Sequence, residues 1–214
     1  MQFKGGMNLN KYLNNAAWFY IGLALIISTS CSNSNAKTNK TVEHKVTKEE
    51  SLLMLSNQTL EKIQSGEFSQ FISLVHPVKG LRFSPYGHID TINTKPLSIN
   101  ELNFYYTKDD LLFFGFADGS GDSINLNLKT YLQTYVQTPN YLKSHDIFFN
   151  QIHQSGNELV NMDKVFVGAD FIEYYFSGFD KQYEGMDWKA LRLVWEKYED
   201  KWCLVGIVRA CWTI

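Results

Sequence analysis

DWKALRLVWEKYEDKWCLVGIVRACWTI, residues 187–214, decides how this chain folds. Two runs rich in Leu, Val, Ile and Trp flank the polar tip Glu199-Asp200-Lys201, the pattern of a long antiparallel hairpin. In the first arm Leu191, Leu193 and Trp195 share one face, and Arg192, Glu196 and Tyr198 the other. In the second, Trp202, Leu204, Gly206, Val208 and Trp212 alternate with Cys203, Val205, Ile207, Arg209 and Cys211. A strand apolar on both faces is a covered strand, so the rest of the chain must supply cover for both.

Working outward, Thr47-Lys48-Glu49-Glu50 is a capping box that opens a helix to about Ser65, with Leu52, Leu53, Leu60 and Ile63 facing inward and Gly66 as its stop. A shorter helix over 67–75 sets Phe68, Phe71, Ile72 and Val75 on one stripe, and His76-Pro77 ends it. GLRFS and HIDTI are short strand candidates around the turn Pro85-Tyr86-Gly87, and Ser98-Ile99-Asn100-Glu101 opens a further short helix. Leu111–Ala117 is a strong strand, and Asn127 caps a helix from Leu128 to about Thr138. Strands follow at 146–153, 170–177, 187–198 and 202–213, with 158–166 a fifth candidate. Helices first and strands afterwards give an α+β class: an N-terminal helical pair packed on a curved antiparallel sheet that ends in a long C-terminal hairpin.

The N-terminus is an address. Lys4 and Lys11 precede the apolar run Ala16–Ile27, too short for a spanning helix of roughly 20 residues but suited to a signal-peptide core. Ser28-Thr29-Ser30-Cys31 resembles the lipobox of bacterial lipoproteins, with Ser28 at the usual Leu position and Ile27 one place earlier. That resemblance implies acylation of Cys31 after cleavage, against the alternative of an ordinary signal peptide cut nearby. The expected organisation is a lipoprotein signal peptide over 1–30, a flexible tether over 31–46 and one α+β domain over 47–214. The tether SNSNAKTNK carries no acidic run of the kind that some surface-exported lipoproteins show, so the resemblance implies a domain facing the periplasm.

The 20 Lys and Arg stand against 22 Asp and Glu, and the leader removes two Lys and no acid. A mildly acidic domain without a basic cluster excludes a nucleic-acid partner. The expected partners are the membrane, through the lipid anchor, and a small molecule, glycan or envelope protein.

The pieces VHPVKGLRFSPYGHID, FADGSGDSINL and FSGFDKQYEGMDWKALRLVWEKYEDKWCLVGI resemble a family of uncharacterised bacterial secreted proteins and lipoproteins, over most of residues 66–214. That arrangement is similar to the nuclear-transport-factor-2-like (cystatin-like) fold, which hosts enzymes, binding modules and interaction domains alike. The family shows a His-Asp pair after the LVGI strand where this chain has Arg209-Ala210, so no acid–base role carries over.

Asp118-Gly119-Ser120-Gly121-Asp122 alternates oxygen ligands, but Ser123 and Lys129 replace the Gly and Glu an EF-hand needs, which leaves a tight turn. No metal site and no cofactor is expected, since no HxxxH, CxxC or dinucleotide spacing is present. Cys203 and Cys211 lie eight strand steps apart, about 26 Å, beyond the reach of a disulfide. Arg209 is the informative charge: at a wet strand end, paired with an acid, or facing an anionic ligand in an apolar cavity. In the last case Tyr86 and Trp188 supply the walls, and the site lies between this strand and the early helices. An enzyme would draw its acid–base groups from His76, His88, Asp90 or Asp187.

Acylation at Cys31 has a direct check. The mature N-terminus should be Cys31, the protein should partition into detergent, and Cys31→Ala should release it or leave it unprocessed. A mature N-terminus elsewhere, found by mass spectrometry, removes the anchor.

Overall fold

The computed structural model describes residues 46–153 and 158–212, so the leader, Cys31 and nearly all of the tether lie outside the described residues. The chain folds into a mixed α+β arrangement with a helical segment and sheets that are mostly antiparallel. Helix α1 spans Lys48–Ser65 and opens on the expected capping box, the Thr47 hydroxyl accepting from the Glu50 amide. It ends on Gly66 at φ 75°, a left-handed conformation that suits glycine. Helix α2 is shorter than its apolar stripe, Phe68–Ile72.

Strands β1 (Arg82–Ser84), β4 (Asp146–Phe149), β5 (Asp170–Phe176), β6 (Lys189–Tyr198) and β7 (Lys201–Cys211) form one sheet in the order β1-β7-β6-β5-β4. Three neighbouring pairs are antiparallel, and β1 runs parallel to β7, so the sheet is mixed at one edge. Strands β2 (Leu111–Phe116) and β3 (Ser123–Asn127) make a separate hairpin after α3 (Ile99–Lys108). Helix α4 (Leu128–Tyr131) continues as a π-helical turn over Leu132–Val136.

The 158–166 strand candidate is instead α5, Met162–Val165. The HIDTI segment forms turns rather than a strand, because Asp90 accepts from the amides of Ile92 and Asn93 and folds the chain back. Strand β3 was masked in the sequence by its neighbours: SINLN is short, and its Asn127 doubles as the α4 cap.

The hairpin departs from strict alternation at one point. Val194 pairs with Gly206 and Trp195 with Leu204, which leaves Val205 as an extra residue in a bulge. Leu204 and Ile207 therefore both face the helices although they are an odd number of residues apart, while Val205 and Val208 face the other side. On the helix face Trp195 and Tyr174 bury their rings and send their polar ends to Ser56 (2.9 Å) and Asn57 (2.7 Å) of α1. The second face is covered by Ile89, Met162 and Phe166. A side chain at Gly206 would collide with the Phe166 ring.

Cys203 and Cys211 are both free thiols. Among the described residues no helix is long and apolar enough to cross a membrane.

Leu204 is fully buried between β7 and the helices, so Leu204→Ala should cost about 2–5 kcal/mol in a urea melt. A melt like the wild type's would show that the hairpin is peripheral.

Candidate functional site

The turn after β1 and the tip of the β2–β3 hairpin face each other across an open cleft of about 520 Å³. One wall is Ser84-Pro85-Tyr86-Gly87-His88, and the other is Phe114–Gly119 with Gly121. Asp90, Thr94, Glu158 and Leu159 complete the lining. The Asp118 amide donates to the Tyr86 hydroxyl at 3.1 Å, which ties the two walls together. Gly115 stands at φ 128° where the hairpin bulges towards Pro85, a conformation open to glycine.

Behind the turn lies a buried charge cluster. Arg192 of β6 is fully buried on the second face of the sheet, between two carboxylates. Its Nε donates to Glu173 of β5 at 2.6 Å and its Nη2 to Glu158 at 3.1 Å. Glu173 also accepts from the His153 amide at 2.7 Å, and Glu158 accepts from the Gly87 amide. Glu158 thus belongs both to the buried cluster and to the cleft. It also presses so closely on Gly87 that any Cβ there would overlap the carboxylate. Burial raises the pKa of both Glu158 and Glu173, and the Arg192 guanidinium offsets this only in part. The Nη1 of Arg192 has no partner among the described residues.

Arg209 and Tyr86 are brought together; Trp188 is not. Arg209 sits opposite Leu191 on the helix face, whereas Trp188 packs with Tyr175, Ala190 and Ala210 on the other. No cavity wall can combine them. Arg209 is half-buried, and no acid pairs with it among the described residues. It donates to the Pro85 carbonyl at 3.3 Å and the Cys211 thiol at 3.2 Å, and lies over the Tyr135 ring at 5.5 Å. It braces the cleft's Pro85 wall from behind, and the cleft lies beside the β1 turn rather than between β7 and the early helices.

The four acid–base candidates separate in the same way. His76 Nδ1 accepts from the amides of Val78 and Lys79 and closes the end of the helical pair. Asp187 accepts from the amides of Phe179 and Asp180 and pins the loop before β6. In that loop Tyr183 is exposed, whereas the half-exposed Phe179 ring packs 5.1 Å from that of Phe176 on β5 and 5.2 Å from Lys189 Nζ on β6. His88 and Asp90 both line the cleft, with Asp90 engaged in its own turn. The Asp118–Asp122 segment is a turn, and no metal-ligating cluster occurs among the described residues.

Sequence reasoning passed over Glu158, Glu173 and Arg192. The signal was there for two of them: Glu173 interrupts DFIEYYF and Arg192 interrupts LRLVW, single charges inside apolar strands. Glu158 carries no such mark.

Neither a protein-family model nor a curated protein matches the chain. Among solved structures, one described as a calcium/calmodulin-dependent protein kinase II association domain from Xanthomonas campestris aligns over 76% of this chain and 86% of its own. The identity is 11% and the TM-score 0.33.

The charge cluster sets a pH dependence. Both carboxyls titrate above their ordinary value of 4.5 in the folded chain, so folding binds protons. The stability they contribute is complete below that value and falls as pH rises through the raised pKa. Glu158→Gln should flatten this slope in urea melts taken from pH 4 to 8. Arg192→Met, which strands two buried carboxylates, should cost roughly 3–5 kcal/mol.

Proposed function

We propose that this protein is a lipid-anchored module of the bacterial cell envelope whose domain faces the periplasm and binds a small polar ligand in the cleft between the β1 turn and the β2–β3 hairpin. The observation that carries the reading is the cleft itself. It is large enough for a small molecule, has Tyr86, Phe114 and Phe116 as apolar surface, and is ringed by hydrogen-bonding groups. Its walls are held by Tyr86 and by the Glu158–Gly87 contact, so the shape stands before any ligand arrives.

The anchor and the address rest on the Ala16–Ile27 run and the lipobox-like Ser28–Cys31. The finer fold reading, nuclear-transport-factor-2-like, rests on the sequence resemblance together with helices that precede and cover a sheet closed by the β6–β7 hairpin.

Catalysis is the second reading, and His88 beside Asp90 is the observation that favours it. Against it, the hydrogen bonds of Asp90 go to Ile92 and Asn93, and none joins it to His88. Binding is the better account.

A thermal-shift screen of small metabolites on the full-length protein in detergent tests the site. Phe116→Ala should weaken any hit about tenfold, or about 1.4 kcal/mol, because half of that ring stands in solvent at the cleft and its loss leaves the core intact. Tyr183→Ala, exposed on another loop, should leave the hit unchanged. A hit indifferent to Phe116 moves the site elsewhere.

A further inference from the structure

Exposed apolar side chains stand at both ends of the main sheet, and the point at which the chain enters the domain tells the two ends apart. Asp170 opens β5, β6 ends at Tyr198 and β7 begins at Lys201, so these strand ends lie together beside the Glu199-Asp200 turn. Helix α1 starts at the same end. Its first residue, Lys48, donates to Asp170 at 2.8 Å and lies 5.4 Å from the ring of Phe149, the last residue of β4. The cleft is at the other end. Ser84 on its wall pairs with Val208, six strand steps from Trp202, or roughly 20 Å along β7.

At the hairpin-tip end Val167 is 77% exposed in the loop before β5, Val46 is 59% exposed just ahead of α1, and Trp202 is half-buried. Val167 and Trp202 share a depression with Gly168 and Lys197, whose ammonium lies 5.3 Å from the indole. Asp170 and Glu196 line it too, but they pair with Lys48 and Lys79. The exposed Lys197 and Lys201 are matched by Glu199 and Asp200 of the turn. This end is therefore apolar with balanced charge around it, and it does not repel an anionic surface. Tryptophan beside aliphatic side chains, with lysine stems at the margin, is a composition found where lipid headgroups meet acyl chains.

We infer that the hairpin-tip end of the domain rests on the phospholipid surface that holds the anchor, with Val167 and Trp202 at the headgroup boundary, so that the cleft opens away from the membrane. This rests on the proposed acylation of Cys31. Fifteen residues separate Cys31 from Val46, and a chain of that length spans at most about 50 Å in any conformation. Anchoring thus holds this end of the domain beside the bilayer. A contact too weak to recruit a free protein becomes an intramolecular one under that restraint. Phe116 and Leu159 are also exposed, but they line the cleft at the opposite end of the sheet. Docking through them would turn the point of attachment to the far side of the domain and close the cleft's mouth against lipid.

The test takes the protein as cells process it and reconstitutes it into vesicles of phosphatidylethanolamine and phosphatidylglycerol, with either plain or dibrominated acyl chains. Flotation reports the anchor, and bromine quenching of tryptophan emission reports the docking. Trp188 and Trp195 are fully buried, so the emission within reach of lipid comes from Trp202 and from Trp212, which is 36% exposed just past β7 at the cleft end. Brominated lipid should lower the emission of the wild type, Trp202→Phe should remove most of that loss, and Trp212→Phe should leave it. Val167→Asp, at an exposed position outside the core, should reduce the loss at least twofold without lowering Tm. This second variant keeps the test open should Trp202→Phe fold poorly. A loss carried by Trp212 reverses the orientation and overturns the inference, as does a loss indifferent to both Trp202→Phe and Val167→Asp. Protein that floats without quenching keeps the anchor and overturns the docking. Protein that fails to float overturns the anchor, and the inference with it.

Discussion

The extra residue in β7 is the constraint on which the rest of the molecule depends. A strand in register has one set of side chains per face, and a hairpin with strict alternation would have turned either Leu204 or Ile207 away from the helices. The bulge at Val205 sends both into the helix-side core and delivers Val205 and Val208 to the opposite side. Two cores follow from one strand pair. The larger takes α1, α2 and α4; the smaller takes Ile89, α5 and Phe166. The segments that cover the smaller core, around residues 85–92 and 158–166, are the ones that place Glu158 and the β1 turn at the cleft.

The buried cluster fits into this division. Along the second face, β6 presents Val194, then Arg192, then Ala190, and each lies in a different environment: apolar core, carboxylates, and the small aromatic group around Trp188. A fully buried ion cluster is weak as a source of stability, because desolvation cancels much of its attraction. Its effect here is positional. It fixes Glu158, and Glu158 fixes the turn that forms one wall of the cleft.

Much of the fold could be read from local chemistry. The capping boxes at Thr47 and Ser98, the Asn127 cap, the Gly66 stop and the hairpin tip all act within four residues of themselves, and all appear where the sequence puts them. Features that depend on distant partners did not show. The parallel pairing of β1 with β7 joins residues 82–84 to 206–208, and no local pattern announces it. The bulge is silent too, because Val205 and Gly206 look like any strand residues. For the site, Tyr86 and its turn were legible as a loop rich in Pro and Gly, and Arg209 as a charge out of place. Trp188, just before β6, packs on the far face of the sheet, and Arg209 meets the Tyr135 ring, a carbonyl and a thiol rather than an acid, with its Nε left without a hydrogen-bond partner among the described residues. Glu158 could not be found at all without the fold, since its importance comes from two strands and a turn remote in sequence.

The outer margin of β7 carries a further implication. Leu204 exchanges hydrogen bonds with Leu74 and His76 just before β1 takes over at Gly206–Val208, so two short segments in succession occupy that margin. Among the described residues, the sheet's remaining open margin is β4, only four residues long. Short, interrupted margins offer few unpaired amides and carbonyls to a passing extended chain. A domain so finished is poorly suited to recruiting others by adding strands to its sheet. Whatever it meets must be met through side chains and clefts.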